Sequence, residues 1–115
     1  MKIVLDAMGG DYAPAVTVEG AVLAAREFDV PIILVGRETV IRQELAKHET
    51  SGLPLSVVQA DEIIEMEDKP SEVVRGKPNS CMHIGMRLVK TGEADAFVTA
   101  GNTGATLAIA LLELG

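Results

Sequence analysis

The stretch Ala94-Asp95-Ala96-Phe97-Val98-Thr99-Ala100-Gly101-Asn102-Thr103-Gly104-Ala105-Thr106-Leu107-Ala108-Ile109-Ala110-Leu111-Leu112 decides the fold class. Its first five residues read as a short strand, and Thr106 to Leu112 reads as a helix. Between them, Thr99 to Ala105 holds two glycines, an Asn and two threonines. Glycine allows positive φ and close backbone approach, and Asn102 or Thr103 can cap the helix that follows. Such a strand-to-helix turn leaves backbone N–H groups free at a helix N-terminus, where the helix dipole favours phosphate or another anion. Gly101, Asn102, Thr103 and Gly104 are therefore candidate anion-binding residues, with an ordinary capped turn as the alternative. The turn has neither the GxxxxGK(S/T) of a P-loop nor the GxGxxG of a dinucleotide site.

Upstream the same rhythm recurs. Lys2 to Asp6 is an apolar run ended by a carboxylate, followed by Gly9, Gly10, Asp11 and Pro14. A helix is expected over Ala15 to Phe28, with Val16, Val18, Val22, Leu23 and Ala25 at helical spacing. Pro31 to Val35 predicts a second strand, and Arg37 to Glu49 a helix with Val40, Ile41 and Leu45 inward. Leu55 to Ala60 predicts a third strand. Strands alternating with helices across short connections imply right-handed βαβ units and a parallel sheet.

After Ala60 the rhythm breaks. Asp61, Glu62, Glu65, Glu67 and Asp68 place five negative charges within eight residues. From Lys69 to Lys90 the balance reverses, with Lys69, Arg75, Lys77, Arg87 and Lys90 against Glu72 alone. Pro70, Gly76 and Pro78 predict a long, irregular connection without a long helix. Asn79-Ser80 then reads as the cap of a helix running to about Lys90, stopped by Gly92 and buried along Met82, Met86 and Val89. Lys77 and Ser80, near that N-terminus, make a second possible anion site. Cys81 is expected to be a small buried hydrophobe, since His83, two residues on, points to another face. Asp6 and Asp11 lack a third ligand at suitable spacing, so no metal is expected.

Composition narrows the class. Hydrophobic residues at 48% and aromatics at only 3% call for a core of Val, Ile, Leu, Ala and Met, which suits a parallel sheet covered by helices. A net charge of −7 opposes nucleic-acid binding. A single cysteine excludes an internal disulfide and fits a reducing compartment. No apolar run approaches membrane-spanning length, and Met1-Lys2-Ile3-Val4 leads directly into a strand. The expectation is a soluble, cytoplasmic α/β chain without a signal peptide.

Asp6-Ala7-Met8-Gly9-Gly10-Asp11 with Ala13-Pro14, and Ala100-Gly101-Asn102-Thr103-Gly104-Ala105, resemble the phosphate acyltransferase (PlsX) family of fatty acid and phospholipid synthesis. Met66-Glu67-Asp68 with Pro70, Arg75 and Lys77 ahead of Ser80-Cys81-Met82, and Gly92-Glu93-Ala94-Asp95-Ala96, extend the resemblance over all 115 residues. Cys81 stands where the family usually has a second Ser, and Gly76 and Pro78 where relatives are often basic.

The resemblance implies a three-layer α/β/α fold like those of isocitrate and isopropylmalate dehydrogenases and phosphotransacetylases. It implies acyl transfer from acyl-[acyl carrier protein] to inorganic phosphate, giving acyl phosphate, by a cytoplasmic homodimer that needs no cofactor. On this reading Asn102 is the catalytic candidate, and Gly101, Thr103, Gly104, Lys77, Ser80, Asp6, Gly10 and Asp11 bind phosphate or substrate. Residues 1–115 would be the N-terminal part of one acyltransferase domain, with membrane contact only peripheral and through segments outside this chain. The all-round apolar helix from Ala105 to Leu114 points the same way, since four strands and their helices can hardly cover it. The competing readings are a phosphotransacetylase-like or nicotinamide-dependent enzyme of similar fold, and a non-catalytic phosphate-binding module.

Overall fold

The computed structural model describes residues 1–115. The elements are β1 (Ile3–Asp6), α1 (Ala15–Phe28), β2 (Ile32–Gly36), α2 (Glu38–Leu45), β3 (Leu55–Gln59), α3 (Pro70–Gly76), α4 (Cys81–Lys90), β4 (Ala96–Val98) and α5 (Thr103–Glu113). The sheet has the order β3-β2-β1-β4, and every strand pair is parallel.

Helices cover both faces, so the architecture is three-layer α/β/α. On one face Val18, Ala21, Val22 and Ala25 of α1, spaced i, i+3, i+4 and i+7, pack with Ile41 of α2 against Ile32 and Leu34 of β2. On the other face Val4 of β1 and Ile33 and Val35 of β2 meet Cys81 of α4. The alternation along β2 follows from the two-residue period of a strand, and burial on both faces explains its unbroken apolar run. α5 packs outside α4, where Ala105 and Ile109 join Met82, Met86 and Val73 of α3. No helix is long and apolar enough to cross a membrane.

Three local expectations are corrected. Val16 and Leu23 of α1 face outward instead of joining the stripe. α2 ends at Leu45, not Glu49, because the residues from Ala46 to Thr50 bring no large apolar side chain to hold a further turn against the core. The connection before α4 contains the short helix α3, with Pro70 in its first turn and Gly76 at its end, so the residues that forbid a long helix delimit a short one.

The topology fixes where a ligand belongs. The chain steps outward from β1 to β2 to β3, then returns along the opposite face to place β4 on the other side of β1. In open α/β sheets, ligands bind beyond the carboxyl ends of strands where this direction reverses. Here that point lies between β1 and β4, at Asp6 and Thr99.

Candidate functional site

The register pairs Leu5 with Val98, so Asp6 and Thr99 come next to one another as the backbone ladder ends. Thr99 Oγ1 donates to Asp6 Oδ2 at 2.9 Å, and the Met8 N–H donates to Asp6 Oδ1 at 3.1 Å. The Gly101 N–H donates in turn to Thr99 Oγ1 at 3.0 Å. Asp6 is only 3% exposed. Burial pushes its carboxyl above the ordinary 3.8, while hydrogen bonds from Thr99, Met8, Cys81 and Gly9 oppose the shift. Gly9 is required here: a Cβ would lie 2.7 Å from Asp6 Oδ2 and 2.9 Å from Thr99 Oγ1. Gly10, at φ +100°, borders Ala100. The turn after β1 and the turn after β4 thus lie in contact.

Asn102 caps α5, its Oδ1 accepting from the Ala105 N–H at 3.0 Å. Its Nδ2 donates to the carbonyls of Glu65 at 3.2 Å, Met66 at 3.2 Å and Asp68 at 2.7 Å. One buried amide therefore fixes the start of α5 and ties it to the acidic segment. No protein group accepts from the N–H of Thr103 or Gly104 in the first turn of α5. Gly104 also admits Pro70, since a Cβ there would stand 2.7 Å from Pro70 Cγ. Beside this turn is a cleft of about 370 Å³ lined by Thr99, Gly101, Thr103, Thr106, Leu107 and Ala110. It offers hydroxyl and N–H donors and carries no ionisable side chain. A second hollow of about 120 Å³ is bordered by Gly10, Asp11 and Ala100.

Lys77 and Ser80 have other partners. Lys77 Nζ donates to the Ile63 carbonyl and to Asp68 Oδ2, each at 2.7 Å, and holds the Asp68 carboxyl below the usual carboxylate range. Ser80 is fully buried as the cap of α4, accepting from the His83 N–H at 3.1 Å. His83 Nε2 donates to the Val74 carbonyl at 2.9 Å, and its Nδ1 is hydrogen-bonded with the Ser80 hydroxyl at 2.8 Å. Cys81 is buried, and burial with the nearby Asp6 charge pushes its thiol far up. It is an inert core residue and not an activated nucleophile.

The structure therefore gathers Asp6, Gly10, Gly101 and Thr103 at one sheet edge, with Asp11 exposed on the rim. Asn102 stands behind the turn and shapes it, Gly104 lies in the first turn of α5 against Pro70, and Lys77 and Ser80 brace neighbouring segments. Thr99 is the residue that sequence reasoning passed over. Its position, a hydroxyl between strand and glycine turn, was the one available signal.

A family model described as "Fatty acid synthesis protein" matches residues 1–115. The chain is 60% identical over 115 residues to a protein of Herpetosiphon aurantiacus named phosphate acyltransferase, covering 100% of this chain and 31% of that one. Proteins of the same name from Koribacter versatilis and Geobacter sulfurreducens are 53% and 52% identical, over 100% and 99% of this chain and 32% and 33% of theirs. The chain spans about a third of the length of these curated relatives.

Proposed function

The chain belongs to the fatty acid synthesis protein family, and from that premise we propose that the whole protein is a phosphate acyltransferase to which this chain contributes the phosphate side. It moves a fatty acyl group from acyl-[acyl carrier protein] to inorganic phosphate, giving acyl phosphate for phospholipid synthesis. A phosphate oxygen attacks the thioester carbonyl, a C–O bond forms, the C–S bond breaks, and the departing thiolate takes up the proton that phosphate loses. No covalent enzyme intermediate and no cofactor is needed. The protein acts as a cytoplasmic homodimer.

The observation that carries this reading is the meeting of two glycine turns, from β1 and β4, at the head of α5 with the Thr103 and Gly104 N–H groups unpaired. Those groups and the Thr103 hydroxyl would hold phosphate at the head of α5, beside a cleft whose lining carries no ionisable side chain. Gly10 and Gly101 let the turns approach, Gly104 admits Pro70, Asp6 and Asp11 frame the β1 side, and Asn102 fixes the α5 turn. Lys77 and Ser80 brace the segments around it. Rates depend steeply on such placement, because a shift of about 1 Å in a bound reactant can lower turnover about 10²-fold.

The test is acyl phosphate formation by the full-length protein from acyl-[acyl carrier protein] and phosphate, trapped as the hydroxamate. Asn102→Ala is expected to lower turnover by about 10²-fold. A folded Asn102→Ala enzyme with unchanged rate removes Asn102 from the site, and a wild type that makes no acyl phosphate removes the activity.

A further inference from the structure

We propose that Thr99 and Asp6 form a latch that aligns the two glycine turns of the phosphate site, with the Thr99 hydroxyl as its positioning group. The inference rests on the reading of this edge as a phosphate site. Its physical basis is a single hydroxyl used twice. Thr99 Oγ1 donates a hydrogen bond to Asp6 Oδ2, at the end of β1, and accepts one from the Gly101 N–H, inside the turn that leads to α5. Residues 93 apart in sequence are thereby joined at the point where the backbone ladder between β1 and β4 stops.

The two bonds reinforce each other, because a hydroxyl that donates to a carboxylate becomes a better acceptor for the next donor. The latch also sets the β1 turn. Met8 donates to the other oxygen of Asp6, and Gly9 packs on the pair so closely that no side chain fits. The Gly9 Cα in turn lies within 3.6 Å of where a Gly101 Cβ would be. With its O–H committed to Asp6, Thr99 Oγ1 has no hydrogen left to donate to a ligand, although Thr99 lines the cleft. It acts through the Gly101 N–H and the course of the chain into Thr103 and Gly104. Valine has the same shape and can do neither: it leaves a buried carboxylate oxygen without its donor and frees the Gly101 N–H to swing.

The experiment compares Thr99→Val, Thr99→Ser and wild type in the full-length protein, reading kcat, both KM values and the melting temperature. Thr99→Val is expected to raise KM for phosphate at least tenfold while leaving KM for acyl-[acyl carrier protein] within twofold. Thr99→Ser, which keeps the hydroxyl, is expected to bring the phosphate KM back to within threefold of wild type. A phosphate KM in Thr99→Val within twofold of wild type overturns the latch, and so does a Thr99→Ser enzyme as impaired as Thr99→Val. Should Thr99→Val fail to fold, Thr99→Ala removes the hydroxyl without filling its place, and the same selective rise is expected; an unchanged phosphate KM overturns the proposal. If the wild type forms no acyl phosphate, the acyltransferase reading falls and calorimetric titration with inorganic phosphate tests the latch alone. Binding at least tenfold weaker in Thr99→Val then supports it, and equal or absent binding in the wild type and variant overturns it.

Discussion

β2 and β4 belong to the same parallel sheet, yet every residue of β2 is buried while Val98 of β4 is 48% exposed. β2 lies between β1 and β3, with α1 and α2 on one face and α4 on the other. β4 is an edge strand, beside an apolar groove of about 310 Å³ lined by Ile3, Leu5, Val16, Gly20, Ala24 and Val98. Parallel strands are stable when both faces are covered. The difference separates a finished half around β1 and β2 from an open half around β4 and α5. The candidate site occupies the seam between them. Its β1 side is held by a closed core, and its α5 side by a few polar anchors such as Asn102 and Thr99.

The largest expected effect tests the finished half. Leu34 is fully buried against α1 and α2, and Leu34→Ala is expected to destabilise by about 2–5 kcal/mol through lost transfer energy and the cavity left behind. Val98→Ala, at the open edge, is expected to change stability by less than about 1 kcal/mol, since about half of its surface stays in water. Denaturant midpoints at unchanged m measure both. Equal losses would erase the distinction between the halves.

That distinction was partly legible in the sequence. α1 runs over the expected residues, and the two expected caps form, with Ser80 of the Asn79-Ser80 pair and Asn102 of the Asn102 and Thr103 alternatives as the capping residues. These are local signals, a 3.6-residue period or a cap within three residues of its partner, and local physics decides them. The outward faces of Val16 and Leu23 depended on which side of α1 meets the sheet, a tertiary choice that a helix with apolar residues on more than one side does not announce. Lys77 and Ser80 were read from proximity to a helix start, but the folded chain brings Asp68 and His83 to them. The Asp6–Thr99 pair lies in no local pattern at all, because it exists only once β4 takes its place beside β1.

Smaller, and bearing on the seam, is the pH dependence of stability. The Asp6 carboxyl is raised by burial from 3.8, so the folded state holds its proton more tightly than the unfolded chain. The stability this group contributes is fully present below pH 3.8 and is lost as pH rises through the folded value. Its slope cannot exceed about 1.4 kcal/mol per pH unit. Asp68 has the opposite sign: lowered by Lys77, it contributes above the ordinary carboxylate range and loses its contribution as pH falls. Asp68 is also more solvated, so its contribution is the weaker of the two. Stability measured against pH for wild type and Asp6→Asn is expected to show the difference shifting in favour of the variant as pH rises above 3.8. A constant difference across that window would mean that Asp6 carries no burial penalty.

The smallest effect on stability is expected on the open half, where it comes with a change in association. Ala105 and Ile109 are the buried residues of α5, whereas Leu107, Leu111, Leu112 and Leu114 are each about half or more exposed. Residues 107, 111 and 114 are spaced i, i+4 and i+7, so three of these leucines form one stripe, continuous with the cleft at Leu107. Replacing Leu107 and Leu111 by Gln removes little buried surface and is expected to change stability by less than about 1 kcal/mol. A contiguous apolar patch of this kind nevertheless draws copies together in water. The 115-residue chain is expected to self-associate, and Leu107→Gln with Leu111→Gln to shift it towards monomer, as read by size-exclusion chromatography with light scattering. A wild-type chain that stays monodisperse and monomeric at high concentration would show that the stripe is too small to drive association. The open half would then be as self-sufficient in water as the finished one, and the contrast between β2 and β4 would reduce to ordinary edge exposure.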